Sequence, residues 1–288
     1  MSFKYSSFTA TKSNVLSNGY NNTLEVQFAG NIATFKNAQV ALRSLTLYNS
    51  SFNINANLYQ NNTFSLKIPF SGGYSTIALN LPNGYFSYSD INSYIQSQLI
   101  AAGAYLINPT GYWYPIQLTA NSTLYAAQFD MALCYTTLPA GWSYPASGVW
   151  AAGGLPSVAY TVQITIPSGM SSILGFNIGS YPSTLNYPTV YSVTSNVTPQ
   201  INPVSSYFLT CSLINNRMNV NPNILASFTS GGTSIGQTIN INPNEFAWIS
   251  VINQSVQSVR FTILDQNYNF VQLADPQIVV DLLIREQV

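Results

Sequence analysis

The sequence predicts an all-β protein of sandwich or jelly-roll architecture. Three observations carry that reading. Short strand-like runs succeed one another from Leu24 to the end of the chain, glycine, proline and asparagine turns separate them, and only two brief stretches show helical spacing. The runs show no internal repeat of the propeller type.

The first 23 residues are polar and without periodicity, which predicts a mobile arm with order beginning near Leu24. LEVQF is then the first strand. In AQVALRSLTLYNSSFNI, Val40, Leu42, Leu45 and Leu47 are apolar while Arg43 and Ser44 interrupt them, the mark of a strand that bends or carries a bulge. NTFSLKIPF and YSTIALNL flank Ser71-Gly72-Gly73 and read as a hairpin. Pro82-Asn83-Gly84 ends it and leads to a helix, SDINSYIQSQLIAAG. There Ser89 is placed as the cap and Asp90 in the first turn. Ile91, Tyr94, Ile95 and Leu99 share one face, and Gly103 closes the helix.

WYPIQLTA and TLYAAQFDMALCYTTL are the next strand candidates. Residues 139–157, PAGWSYPASGVWAAGGLPS, then break the pattern. They read as a surface loop or the tip of an insertion, either packed on its own tryptophans or serving as a contact surface. AYTVQITIP resumes the strands, SGMSSILGF reads as a short helical turn, and YPSTLNYPTVYSVTSNVTPQINP is extended and proline-punctuated. The chain ends in SSYFLTCSLI, NILASFTS, QTININ, FAWISVIN, QSVRFTILD, NFVQLAD and QIVVDLLIRE, all strand-like.

Composition narrows the function. Charged residues are 6% of the chain against roughly 25% in an ordinary soluble domain, and the formal net charge is zero. Between Lys67 and Arg217 the only charged side chains are Asp90 and Asp130. Hydrophobic residues make up 47% and aromatics 14%, enough for a full core. Such a surface lacks the usual protection against association, and depletion of charge with enrichment of tyrosine marks the centres of stable interfaces. The composition therefore points to an obligate assembly, against the plainer reading of a solitary polar β protein kept soluble by amides and hydroxyls.

Histidine is absent. No side chain then titrates near neutrality in its unperturbed state, so a general acid or base would have to be one of the eight carboxylates or a shifted lysine. Neither Ser-x-x-Lys nor Gly-x-Ser-x-Gly occurs. Asp265-Gln266-Asn267-Tyr268-Asn269 begins like a calcium loop, but the required glycine and glutamate positions hold Phe270 and Pro276, and a hairpin turn explains the segment better. Asp275, Asp281, Arg260 and Arg285 read as structural ion pairs. No catalytic, cofactor-binding or metal-ligating residue is assigned, and no cofactor is expected.

Cys134 and Cys211 sit in apolar runs and read as buried free thiols, with a single disulfide left open. The N-terminus lacks the apolar stretch of a signal peptide and no run is long enough to span a membrane, so an intracellular site of synthesis is expected. Six Asn-x-Ser/Thr sequons, at Asn21, Asn49, Asn61, Asn121, Asn196 and Asn253, read as coincidences of an asparagine-rich chain. With only Lys4 and Lys12 in the first 35 residues, no strong nucleic-acid binding is expected.

Several runs resemble the minor capsid or penton proteins of virophages and the related Maverick/Polinton elements. They are AQVALRSLTLYNSSFNI, PNGYFSYSDINSYIQSQL, LGFNIGSYPS, TPQINPVSSYFLTCSLINN, ILASF and VRFTILDQNYNFVQLADPQIVVDLLIRE. The resemblance spans roughly residues 38–102 and 164–285 and consists of packing and turn motifs. It implies a single jelly-roll β-sandwich carrying an inserted β-rich segment and two short helices. The expected boundaries are an arm over 1–23, a jelly roll over 24–102 and 201–288, and an insertion with connecting segments over 103–200.

It further implies a homopentamer at the icosahedral five-fold vertices of a virion, assembled inside the host cell and seated among capsomers of a major capsid protein. Two other classes stay open. A receptor- or carbohydrate-binding spike or head would use exposed tryptophan such as Trp142 and Trp150, and a carboxylate-based enzyme would need two facing acids with one pKa raised.

Overall fold

The computed structural model describes every residue except 1, 2, 29, 31, 215–220, 222, 253 and 288, so Asn253 of the last sequon and the Asn215-Asn216 that ends TPQINPVSSYFLTCSLINN lie outside the described residues. The chain begins with β1 (Phe3–Ala10), β2 (Thr23–Gln27), β3 (Ala33–Phe35) and β4 (Ala38–Tyr48). It then passes into β5 (Thr63–Phe70), β6 (Gly73–Asn80), α1 (Tyr88–Ala102), β7 (Leu106–Asn108), β8 (Gly111–Trp113), β9 (Ile116–Asn121) and β10 (Ala126–Met131). β11 (Gln163–Ile166), α2 (Ser168–Leu174), β12 (Gly179–Tyr181) and β13 (Tyr191–Thr194) follow. The last series is β14 (Tyr207–Cys211), β15 (Ile224–Phe228), β16 (Thr238–Ile241), β17 (Ile249–Ser250), β18 (Gln254–Val256), β19 (Ser258–Asp265) and β20 (Ile278–Gln287).

These elements form two compact units, Met1–Phe52 with Val204–Val288, and Asn53–Pro203. In the first unit one sheet runs β1-β20-β4-β16 and the other β15-β14-β19-β2, all pairs antiparallel. Numbering the eight principal strands along the chain, the orders are 1-8-3-6 and 5-4-7-2, which is the strand order of a jelly roll. The second unit enters between the third and fourth of these strands. Leu45, Leu47, Leu209, Phe261, Ile263, Val280 and Leu282 fill the core of the first unit.

The interruption at Arg43 and Ser44 has the structural meaning that the sequence suggests. On β20 the buried residues keep one parity, Ile278, Val280, Leu282 and Ile284, whereas on β4 burial passes from Val40 and Leu42 to Leu45 and Leu47. The register shifts where Asp281 opposes Ser44 and Leu282 opposes Leu42, leaving Arg43 as the extra, exposed residue.

The N-terminal expectation changes. Phe3–Ala10 are not an arm but an edge strand, paired with β20 over its whole length from Phe3 opposite Gln287 to Ala10 opposite Val280. The signal is weak in the sequence because the apolar side chains change parity between Phe3 and Tyr5 and then Phe8 and Ala10, so no single alternation runs through β1. The insertion also starts earlier than the expected residue 103. Asn53 opens it and Pro203 closes it, so the hairpin β5–β6 and helix α1, expected within the jelly roll, belong to the second unit. Propensity and pattern specify these as strands and helix but are silent on which core they join.

A buried asparagine network fixes both ends of the insertion. The Asn53 amide donates to the carbonyls of Phe86 and Ile201 and accepts from the Phe86 N–H, while Asn61 donates to the Asn53 carbonyl and accepts from the Asn55 N–H. Buried amides of this kind are retained because every group finds a partner. Two sheets, β12-β11-β5-β6 and β13-β10-β9, with the β7–β8 hairpin and both helices, enclose a separate core around Leu66, Ile95, Leu99, Phe129, Trp150 and Phe176.

Helix α1 begins two residues earlier than expected. Ser87, not Ser89, is the cap. Its hydroxyl accepts from the Asp90 N–H and the Asp90 carboxylate accepts from the Ser87 N–H, a reciprocal capping box. Ile91, Ile95 and Leu99 face the core as their spacing requires. Gly103 ends the helix at φ 64°. Here glycine is needed twice over, since a Cβ would lie 2.1 Å from the Ser147 carbonyl oxygen. NFVQLAD makes only isolated bridges, at Phe270 and Leu273, and is not a strand.

Candidate interaction surfaces

Charge is distributed very unevenly between the units. Asn53–Pro203 contains only Lys67, Asp90 and Asp130 as charged side chains, so thirteen of the sixteen lie in the jelly-roll unit. Of the residues expected as ion pairs, only Arg260 makes one among the described residues. It meets Glu25 at 3.2 Å across the β19–β2 pair. The Ser258 hydroxyl, and then Arg260, hold the Glu25 carboxyl below the usual carboxylate range. Asp281 instead accepts from Thr9 and Ser44, and Asp275 accepts from the Gln277 N–H.

Arg285 is held by aromatic rings. Its guanidinium lies 4.7 Å from the Phe3 ring centre and 4.1 Å from that of Trp248, and its Nε donates to Gln39 at 2.7 Å. Tyr5 and Phe246 pack edge-on against Trp248, and Phe3, Tyr5 and Phe246 are all exposed. This cluster sits beside β1, whose outer edge has no strand partner among the described residues. An open edge flanked by aromatic side chains is a surface suited to being covered. The sequence reading missed it because it joins residues from three distant segments.

The Asp265–Asn269 segment is a turn. The buried Asp265 carboxylate accepts the N–H groups of Asn267 and Asn269, and Tyr268 adopts φ 63°. Among the described residues no group of three Asp, Glu or Cys side chains is arranged to hold a metal ion. Cys134 and Cys211 are both buried, free thiols, one in each unit. Burial raises both thiol pKa values, that of Cys211 to about 12. Two sequon amides are consumed by the fold, since the buried Asn49 donates to the Thr233 carbonyl and Asn61 to that of Asn53.

The loop 139–157 packs on its own tryptophan. Trp150 is fully buried and its indole N–H donates to the Pro69 carbonyl at 2.8 Å. The N–H groups of Val149 and Trp150 satisfy the Ala102 and Gly103 carbonyls at the end of α1, and Ser143 exchanges two hydrogen bonds with Ile107. From Trp150 an aromatic stack leads outward, through Trp113 at 5.9 Å to Tyr135 and Trp142. Trp150 is thus a core residue, whereas Trp142 and Tyr135 reach the surface.

Next to this stack lies a groove of about 490 Å³, lined by the β8–β9 segment Tyr112–Gln117, by Gln96 of α1, by Asp130–Ala132 and by Val190. A smaller cavity, of about 140 Å³, also lies in this unit. It is bordered by Tyr88 and Tyr125, and burial pushes the Tyr88 phenol up to about 12. The Tyr88 hydroxyl therefore stays protonated at neutral pH and can donate a hydrogen bond.

These features define an all-β jelly-roll protein with a second, nearly uncharged β unit inserted into it. No family model matches the sequence, and no curated protein matches it. Among solved structures, the chain is similar to the crystal structure of the SeMet-labelled mavirus penton protein, over 100% of both chains, at 10% sequence identity and a TM-score of 0.46.

Proposed function

We propose that the chain is a structural capsid protein, a minor capsid or penton subunit whose five copies close into a ring at each icosahedral five-fold vertex among the capsomers of a major capsid protein. The observation that carries the reading is the surface. Sixteen charged side chains in 288 residues, three of them in the whole insertion, leave too little charge to keep a free monomer apart. The jelly-roll strand order, the open edge of β1 with its aromatic cluster around Arg285, and the motifs resembling penton proteins support it further.

The mechanism is geometric rather than catalytic. A ring closes at five only if one face of the subunit complements a different face of its neighbour at a fixed rotation. The walls of the jelly roll supply both faces. On this reading residues 3–10 contribute as the folded strand β1.

Native mass spectrometry of the purified protein, with negative-stain images of the same sample, tests the proposal. A pentamer with a five-fold rosette is the expected result. A trimer, or a monomer that stays monomeric in the presence of the major capsid protein, overturns it.

A further inference from the structure

The groove of the insertion has a chemistry that the assembly reading does not use. Its floor is aromatic and rigid. Trp113 is fixed between Trp150 and Tyr135 at centroid distances of 5.9 and 4.9 Å, and Tyr112, 54% exposed, stands edge-on to Tyr105 at 5.1 Å. Its wall is polar and preset by sheet register. Gln117 of β9 lies directly opposite Asp130 of β10, so the two side chains share the outer face.

Asp130 is clamped. Gln128 Nε2 donates to its two carboxylate oxygens at 2.9 and 3.1 Å, and the Ser192 hydroxyl donates to Oδ1. A carboxylate offers about four acceptor positions, so about one is left for a ligand hydroxyl. The side-chain amides of Gln96 and Gln117 have no hydrogen-bond partner among the described residues, and each is a donor and an acceptor together.

We propose that this groove, lined by Tyr112, Trp113, Gln96, Gln117, Asp130 and Val190, is a binding site for a neutral oligosaccharide. A sugar ring has an apolar C–H face that suits the aromatic floor and a rim of hydroxyls that suits two amides and an anchored carboxylate. An apolar peptide would leave those polar groups desolvated and unpaired. Anionic sugars and nucleic acid are disfavoured for a different reason. Lys67 is the one basic side chain of the insertion and is not among the groove residues, whereas Asp130 repels anions. The inference stands apart from the assembly proposal, because it concerns the insertion alone.

Saturation-transfer NMR on the full-length protein tests it, with hexaoses of mannose, glucose, galactose and N-acetylglucosamine as probes and sialyllactose as the anionic control. At least one neutral hexaose receives saturation, and sialyllactose does not. Tyr112→Ala and Gln117→Ala, both at exposed positions, each weaken that hexaose about tenfold. Tyr125→Ala, outside the groove, leaves binding unchanged. No transfer to any of the four hexaoses at ~10 mM, well above the ~1 mM dissociation constants of weak ligands, overturns the proposal. So does binding that both groove variants leave intact, or sialyllactose binding as well as the neutral probes.

Discussion

Truncation of Trp150 separates the two uses that the loop 139–157 could have. The side chain is fully buried, stacks on Trp113 and donates its indole N–H to the Pro69 carbonyl. Trp150→Ala removes the buried ring and leaves a cavity, together costing about 3–5 kcal/mol. It also strips the Pro69 carbonyl of its donor, about 1–3 kcal/mol where water does not replace it. Trp150→Phe keeps most of the volume and loses mainly the hydrogen bond, so about 1–2 kcal/mol is expected. In a unit of this size 1 kcal/mol moves the midpoint by roughly 2–4 °C. The Ala variant should therefore melt at least ~6 °C lower and the Phe variant ~2–8 °C lower. Intrinsic fluorescence follows the unit concerned, because Trp113, Trp142 and Trp150 lie in it and only Trp248 lies in the jelly roll. A shift below about 3 °C for Trp150→Ala would refute the reasoning, and loss of partner or ligand binding without destabilisation would return Trp150 to the surface.

Three further outcomes are expected. Gly103→Ala should destabilise the insertion well beyond Gly19→Ala does the jelly roll. Both glycines have positive φ, worth about 1 kcal/mol, but only at Gly103 does a new Cβ collide with backbone, and equal melting shifts would contradict this. The Glu25 carboxyl has a folded pKa below its unfolded value, so its contribution is complete above about pH 5 and is lost as pH falls through the folded value. Urea midpoints should accordingly drop more between about pH 5 and pH 3 for the natural protein than for Glu25→Gln, by less than about 1 kcal/mol for so exposed a pair, and identical pH profiles would remove the pair from the account. The buried thiols should resist an aromatic disulfide reagent at about pH 8 in the native state and both react in denaturant, because burial keeps them protonated. Rapid modification of either native thiol would contradict their placement.

The sequence carried the class of the fold and much of its local detail. Apolar alternation with an interruption at Arg43 and Ser44 specified both β4 and its bulge, because side chains in a strand change face at every residue and one extra residue must reverse the pattern. Ser71-Gly72 specified the β5–β6 hairpin, whose register closes Phe70 on Gly73, and the spacing of Ile91, Ile95 and Leu99 specified α1. Those signals depend on residues near one another in the chain. The tertiary structure alone assigned the hairpin and helix to a second core, turned residues 3–10 into the partner of β20, and brought Phe3, Trp248 and Arg285 together. It also decided that Trp150 points inward while Tyr112 and Trp113 form the floor of a groove. Strand pairing and core membership arise from contacts between segments more than a hundred residues apart, such as Phe3 with Gln287, and local periodicity holds no record of which segment will meet which.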